Sequence, residues 1–277
     1  MEVWVGTSGY AYSDWVGAFY PPGTSPARML PYYARQFPLV ELNFTYYRPP
    51  TPSGLTRLAA KTPPGFQFLV KLHRSLSHEH DLSGAGLFRE AVDALHAEGR
   101  LLGLLCQYPQ RFHWTPGNLD RLAALADRFA GHTLAVEFRH ASWDRPEVPA
   151  WLHRRGLHLV SVDVPPIPAL YPARLVQSSR LLYVRFHSRR AESWYASDKE
   201  RYDYLYTDEE LREWLDAVAA RSPQAERALL LFNNCYRTQA AVNARRVQEL
   251  LARMAPRLTL VAPFAPSPDP PRQGLLF

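Results

Sequence analysis

LLGLLCQYPQRFHWTPGNLDRLAALADRFAGHTLAVEF (residues 101–138) holds one complete strand–helix–strand unit, and its reading decides the fold. Leu101–Gln107 is a nearly unbroken apolar run, the pattern of a parallel strand covered on both faces. Thr115-Pro116 reads as an N-cap followed by the first helical residue, where proline's missing N–H costs nothing. Leu122, Leu125, Ala126 and Phe129 then fall on one helical face. Leu134–Phe138 is the next apolar run. A strand, a covering helix and a second strand imply a right-handed parallel crossover.

The same unit repeats in both directions. Upstream, strands are expected near Val3–Thr7, Leu39–Phe44 and Phe66–Lys71; downstream, near Leu157–Asp163, Leu181–His187 and Ala228–Asn233. Between them lie helix signals. Thr51-Pro52 repeats the cap pair, and Leu87, Ala91 and Leu95 form a stripe ended by Gly99. Thr207-Asp-Glu-Glu210 is a capping box leading into Leu211, Trp214, Leu215 and Val218. Ala240, Ala244, Val247, Leu251 and Met254 mark the buried face of the last long helix. Eight strand–helix alternations, with no GxGxxG after the first strand, predict an α/β fold: a single (β/α)8 TIM barrel over residues 1–262. Pro165–Ser179 is expected as a long loop over one barrel end. Residues 263–277, PFAPSPDPPRQGLLF, change composition abruptly and read as a proline-rich tail.

Composition narrows the functional classes. No apolar run is long enough to cross a membrane as a helix, and MEVWVGTSGY lacks the basic and apolar regions of a secretory leader, so a cytoplasmic location is expected. Two cysteines, Cys106 and Cys235, without CxxC spacing, argue against a disulfide framework or zinc cluster. The net charge of +6 suits an anionic partner.

Polar residues gather where the predicted strands end, the position of chemistry in such barrels. They are Glu41 and Asn43 after strand two, Lys71 after strand three, and Gln107 after strand four. Glu137, Arg139 and His140 follow strand five, Asp163 ends strand six, Arg185 and His187 strand seven, and Asn233 and Asn234 strand eight. GTSGYAYSDWVGAFYP, YYARQF, VELNFTYYRPP, FLVKLHRSLSH, EFRHASW, YVRFH and LFNN stand in one order along the chain. Together they resemble the DUF72 family (YecE-like proteins), TIM barrels of undetermined activity. Trp15 and Tyr46 also fall on that family's pattern. The chain departs from it at Cys235, where histidine is frequent, and at RFH in strand seven, where RLHG is usual. The family's barrel is similar to xylose-isomerase-like barrels, which include sugar isomerases and an abasic-site nuclease.

Arg139 and Arg185 read as bidentate forks for a phosphate or carboxylate. Glu137 reads as a base and Lys71 as an acid or Schiff-base nucleophile, with Glu41, Asp163 and His187 completing the catalytic set. Asn43, Gln107, His140, Asn233 and Asn234 are hydrogen-bonding candidates, and Trp15 and Tyr46 are candidate stacking faces. No resident cofactor is firmly implied; Glu41, Glu137, Asp163 and His187 are the ligands a divalent metal would take. The tail ends in Gln273-Gly-Leu-Leu-Phe277. Gln273, Leu276 and Phe277 are spaced as in peptides that dock on the bacterial sliding clamp, which favours DNA as the phosphate-bearing substrate. The expected function is therefore an enzyme with an anion or phosphate site in the barrel mouth, acting in nucleic-acid processing or repair. The alternatives are a sugar or sugar-phosphate isomerase, aldolase or lyase, and a non-catalytic barrel that binds nucleic acid or a partner.

Overall fold

The computed structural model describes residues 1–254 and 257–264. Its strands, in chain order, are β1 (Glu2–Thr7), β2 (Leu39–Leu42), β3 (Gln67–Lys71), β4 (Leu101–Gln107), β5 (Leu134–Glu137), β6 (Leu157–Asp163), β7 (Leu181–Phe186), β8 (Arg227–Phe232) and β9 (Thr259–Leu260). They form one nine-stranded parallel sheet in the order β2-β3-β4-β5-β6-β7-β8-β1-β9. The helices are α1 (Pro26–Tyr33), α2 (Pro52–Ala59), α3 (Arg74–Ser77), α4 (Ala85–Ala97), α5 (Pro116–Arg128), α6 (Glu147–Arg154), α7 (Asp198–Arg201), α8 (Asp208–Ala220) and α9 (Gln239–Ala252).

The sheet curls until its ends meet, but the expected barrel is not closed by a ladder. β1 already carries β9 on the first half of its outer edge, pairing Glu2 with Thr259 and Val3 with Leu260. On the second half, β1 and β2 touch at a single bridge, Ser8 to Glu41, with Gly9 N donating to Glu41 O at 2.8 Å. Between these points the Tyr33 hydroxyl from α1 enters the seam. It accepts from Thr7 N (2.8 Å) and donates to Leu39 O (3.1 Å), standing in for a missing strand-to-strand bond. Gly6 faces the same seam: a Cβ there would lie 2.6 Å from Leu39 O, so only glycine lets the two backbones come this close.

Inside the curl lies an apolar plug of Trp4, Leu39, Leu69, Leu105, Ala135, Val160, Tyr183, Leu229 and Leu231, drawn from each of β1 to β8. Outside it, the helices cover the sheet with a larger core. Thr51 and Thr115 cap α2 and α5 through their side chains, and Thr207 with Glu210 forms the capping box of α8. Gly99 has φ +65 at the end of α4, as a C-cap requires.

Several expectations are corrected. Leu87 is exposed, and α4 buries Ala85, Phe88, Ala91, Val92 and Leu95 instead. The strand β9 had no signal beyond a two-residue run. Between β6 and β7 the chain runs without a helix, as the expected Pro165–Ser179 loop, and this loop also packs along the sheet. It bonds to β6 through Ser161 Oγ and Ser178 Oγ, and to the segment after β5 through the His140–Leu170 bridge. Phe264 packs on Trp4 with ring centres 6.2 Å apart. The rest of the proline-rich tail, with Gln273, Leu276 and Phe277, lies outside the described residues.

Candidate functional site

Alternation along a strand decides which polar residues share the mouth. Plug residues Leu39, Leu69, Leu105, Ala135, Tyr183 and Leu231 point inward, so the residues two further on do too: Glu41, Lys71, Gln107, Glu137, Arg185 and Asn233. Two further again come Asn43, Arg139 and His187. These nine stand together above the plug.

At the centre is Arg185, 1% exposed. Its Nε and Nη2 donate to the two oxygens of Glu41 at 2.9 and 2.7 Å. Its Nη1 donates to Glu137 Oε2 at 2.5 Å, and Nη2 also reaches Ser8 Oγ at 3.2 Å. Four of the five guanidinium N–H groups are thereby engaged. Tyr183 Oη donates to Glu41 Oε2 at 2.5 Å. Glu137 takes a second cation, Arg139, through its Oε1. Burial alone would raise Glu137, but Arg139 and Arg185 hold it well below the ordinary carboxylate range. A buried charge with this many partners is stable only as a set: removal of one leaves the others uncompensated.

Around this lattice sit the groups that titrate abnormally. Asn233 Nδ2 donates to His187 Nδ1 at 3.0 Å when the ring proton is on Nε2, the nitrogen 3.6 Å from Glu137. Burial, then Arg139, pushes His187 down to about 3, so its ring is neutral. Lys71 has no carboxylate among its hydrogen-bond partners: Nζ donates to Gln107 Oε1 at 2.8 Å and rides 4.6 Å over the Tyr46 ring. Burial, then the positive Arg185, lowers its ammonium to about 8.

A cleft of about 870 Å³ opens onto this floor. Lys71, Arg139, Arg185, Asn43, Gln107 and Asn233 line its base. Tyr10, Phe44, Tyr47, Tyr202 and Tyr236 line its walls, with Asp14 and Lys199 at the lip. Asn43 Oδ1 is buried without a hydrogen-bond partner. A second hollow, of about 720 Å³, lies at the opposite end of the strands, beside Met1, Glu2 and Arg227.

Four expected site residues are elsewhere. Asp163 is three positions beyond inward-facing Val160 and therefore points outward. There Arg189 holds it at 2.9–3.1 Å and the Trp214 indole of α8 donates to it. Asn234 is one position out of phase with Asn233 and bonds Tyr204 O and Asn243 Oδ1 in the outer layer. His140, next to inward-facing Arg139, bonds Ser142 and stacks on His113 away from the cleft lining. Trp15 is wholly buried, its indole donating to Cys235 O at 2.8 Å, and offers no stacking face. Sequence reading missed Tyr183, although its spacing of two from Arg185 puts it on the same face. It also left Ser8 out of the site.

The four proposed metal ligands do not form one set. Glu41 and Glu137 are committed to arginines and Asp163 lies on the other face. Among the described residues, no three His, Cys, Asp or Glu side chains are grouped to hold an ion.

The family model described as "Protein of unknown function DUF72" matches residues 4–270. UPF0759 protein YunF of Bacillus subtilis is 28% identical over 274 residues, covering 90% of this chain and 94% of that protein. A crystal structure of a DUF72 family protein from Thermotoga maritima superposes with a TM-score of 0.84 at 38% identity, over 91% of this chain and 100% of the other. A DUF72 family protein from Enterococcus faecalis gives 0.82 at 25% identity, over 96% and 100%.

Proposed function

The chain belongs to the DUF72 family, a family of unknown function, and we propose that its cleft is the active site of an enzyme that uses the Lys71 amine on an anionic carbonyl substrate. The observation that carries this is the state of Lys71. The residue is half-buried, its ammonium is lowered to about 8 and bonded to a neutral amide, and it lines the cleft. At neutral pH a tenth or so of such an amine is uncharged, against less than a thousandth for an ordinary lysine. The chain's cation usage adds weight. Lys61, Lys71 and Lys199 are its three lysines among 32 basic residues. Where nearly every cation is arginine, a lysine in the mouth points to chemistry that a guanidinium cannot do.

In this reading Arg139 binds the anion, the Arg185 lattice fixes the floor, and Lys71 Nζ attacks the carbonyl carbon. Loss of the carbonyl oxygen as water leaves an iminium that can accept electrons from a breaking bond, which places the reaction among aldolases and lyases. The phosphate and DNA-repair reading relied on Arg139 and Arg185 as paired forks and on Gln273, Leu276 and Phe277. With four of its five N–H groups occupied, Arg185 is a brace for the floor rather than a ligand fork, and the amine reading is preferred.

Borohydride reduction in the presence of pyruvate, glyoxylate or glyceraldehyde 3-phosphate, followed by peptide mass spectrometry, tests it. The expected result is one reduced adduct on Lys71, rising with pH around 8 and absent in Lys71→Met. Equal labelling of Lys61 and Lys199, or no adduct on Lys71, rejects the proposal.

A further inference from the structure

Resting on the reading that the cleft is the functional site, we infer that its ligand is a hydroxylated monocarboxylate of the sugar-acid class rather than a phosphate ester. Three features of the floor lead there. The first is charge. Lys71, Arg139 and Arg185 face Glu41 and Glu137, which leaves one positive charge in excess, while Asp14 and Lys199 cancel at the lip. His187 is neutral. One excess charge in a desolvated floor balances one carboxylate, whereas a phosphate dianion leaves a charge unmatched.

The second is the supply of donors. Arg185 has one N–H group left, Gln107 Nε2 spends one of its two on Tyr108 O, and Asn233 Nδ2 spends one of its two on His187 Nδ1. At the base of the cleft Arg139, whose Nε is taken by Glu137 and whose Nη2 lies 3.4 Å from His187 Nε2, and Lys71 remain as cationic donors, with Lys199 further out at the lip. A planar carboxylate needs no more than two such groups, while three phosphate oxygens need several. The third is Asn43 Oδ1, a buried acceptor with no partner. Such an atom costs free energy until a ligand brings it a donor, and an ionised phosphate group, like a carboxylate, brings none by itself. A hydroxyl does. The tyrosine and phenylalanine walls offer flat apolar faces to the C–H side of a sugar, and the cleft volume admits a six-carbon acid with room for water.

Binding of sodium D-gluconate, D-glucuronate and D-galacturonate should be measured by calorimetry against D-glucose, glucose 6-phosphate, inorganic phosphate and hexanoate. At least one sugar acid should bind tenfold or more tightly than glucose, glucose 6-phosphate and hexanoate. Arg139→Gln should abolish the preference for acid over neutral sugar, and Asn43→Leu the preference for sugar acid over hexanoate. Circular dichroism of each variant establishes that it is folded, and Arg139→Lys, which keeps the charge, should lose affinity by a smaller factor if Arg139→Gln does not fold. The inference falls if a phosphate is the best ligand, if no sugar acid outbinds hexanoate, or if both folded variants retain wild-type selectivity. Calorimetry reads reversible binding by the wild-type protein, whereas the borohydride trap reads only the covalent step on Lys71. A failed borohydride trap with sugar-acid binding intact therefore rejects the amine chemistry alone, and a successful trap without sugar-acid binding rejects this inference alone.

Discussion

His187 has no exposed surface, and burial with Arg139 beside it pushes its imidazole from 6.5 down to about 3. The unfolded chain takes up a proton at this residue near pH 6.5, which the folded protein refuses until about pH 3. His187 therefore leaves stability intact above pH 6.5 and erodes it as the pH falls below, by about 1.4 kcal/mol per pH unit. Urea denaturation between pH 7 and 5 should show a shallower pH slope in His187→Phe than in the wild type. Parallel slopes would mean that the native ring takes its proton normally. At this scale much of the mouth was legible, since Glu41, Lys71, Gln107, Glu137, Arg139, Arg185, His187 and Asn233 all come together. The failures share one cause. Asp163, Asn234 and His140 were taken with the mouth because they end or follow strands, yet each is out of phase by one residue. A single-residue slip sends a side chain from the inside of the sheet to its helix-covered face.

Among the elements, the seam between β1 and β2 is the departure from a closed ladder, and one hydroxyl spans it. Tyr33→Phe removes the acceptor for Thr7 N and the donor to Leu39 O and leaves both backbone groups buried without partners. A loss of roughly 2–4 kcal/mol is expected from two such orphaned groups. It is measured as a lower urea midpoint with an unchanged slope, together with faster hydrogen exchange at the Thr7 amide. A loss below about 0.5 kcal/mol would show that the seam does not depend on the bridge. The helices and strands were legible from apolar periodicity and caps because those signals are local. The seam was not, because Gly6, Tyr33 and Leu39 are ordinary residues until the curl brings them within bonding distance.

Taken whole, the chain carries a net charge of +6, yet many of its arginines are already paired with acidic neighbours, among them Arg145 with Glu147, Arg212 with Asp208 and Arg246 with Glu249. No long basic stripe follows from the sign of the charge. Fluorescence anisotropy with duplex, single-stranded and abasic DNA should therefore give dissociation constants no tighter than about 10⁻⁵ M at 150 mM salt, in the range of non-specific binding. Sub-micromolar binding to abasic DNA that falls steeply with salt would restore the DNA-processing reading. No helix of the described residues is long and apolar enough to cross a membrane. The amino-acid sequence by itself determined the eight parallel strands, their order of helices, the family and the polar character of the strand ends. These rest on local periodicity and on motifs that need no partner to be read. Only the tertiary structure decided how the sheet ends meet, that Arg185 is spent on Glu41 and Glu137, that Asn43 keeps an unpaired oxygen, and that Lys71 is left without a carboxylate. Those properties depend on distances between strands far apart in the chain, and the free energy of a charge or a hydrogen bond is set by the groups around it after folding.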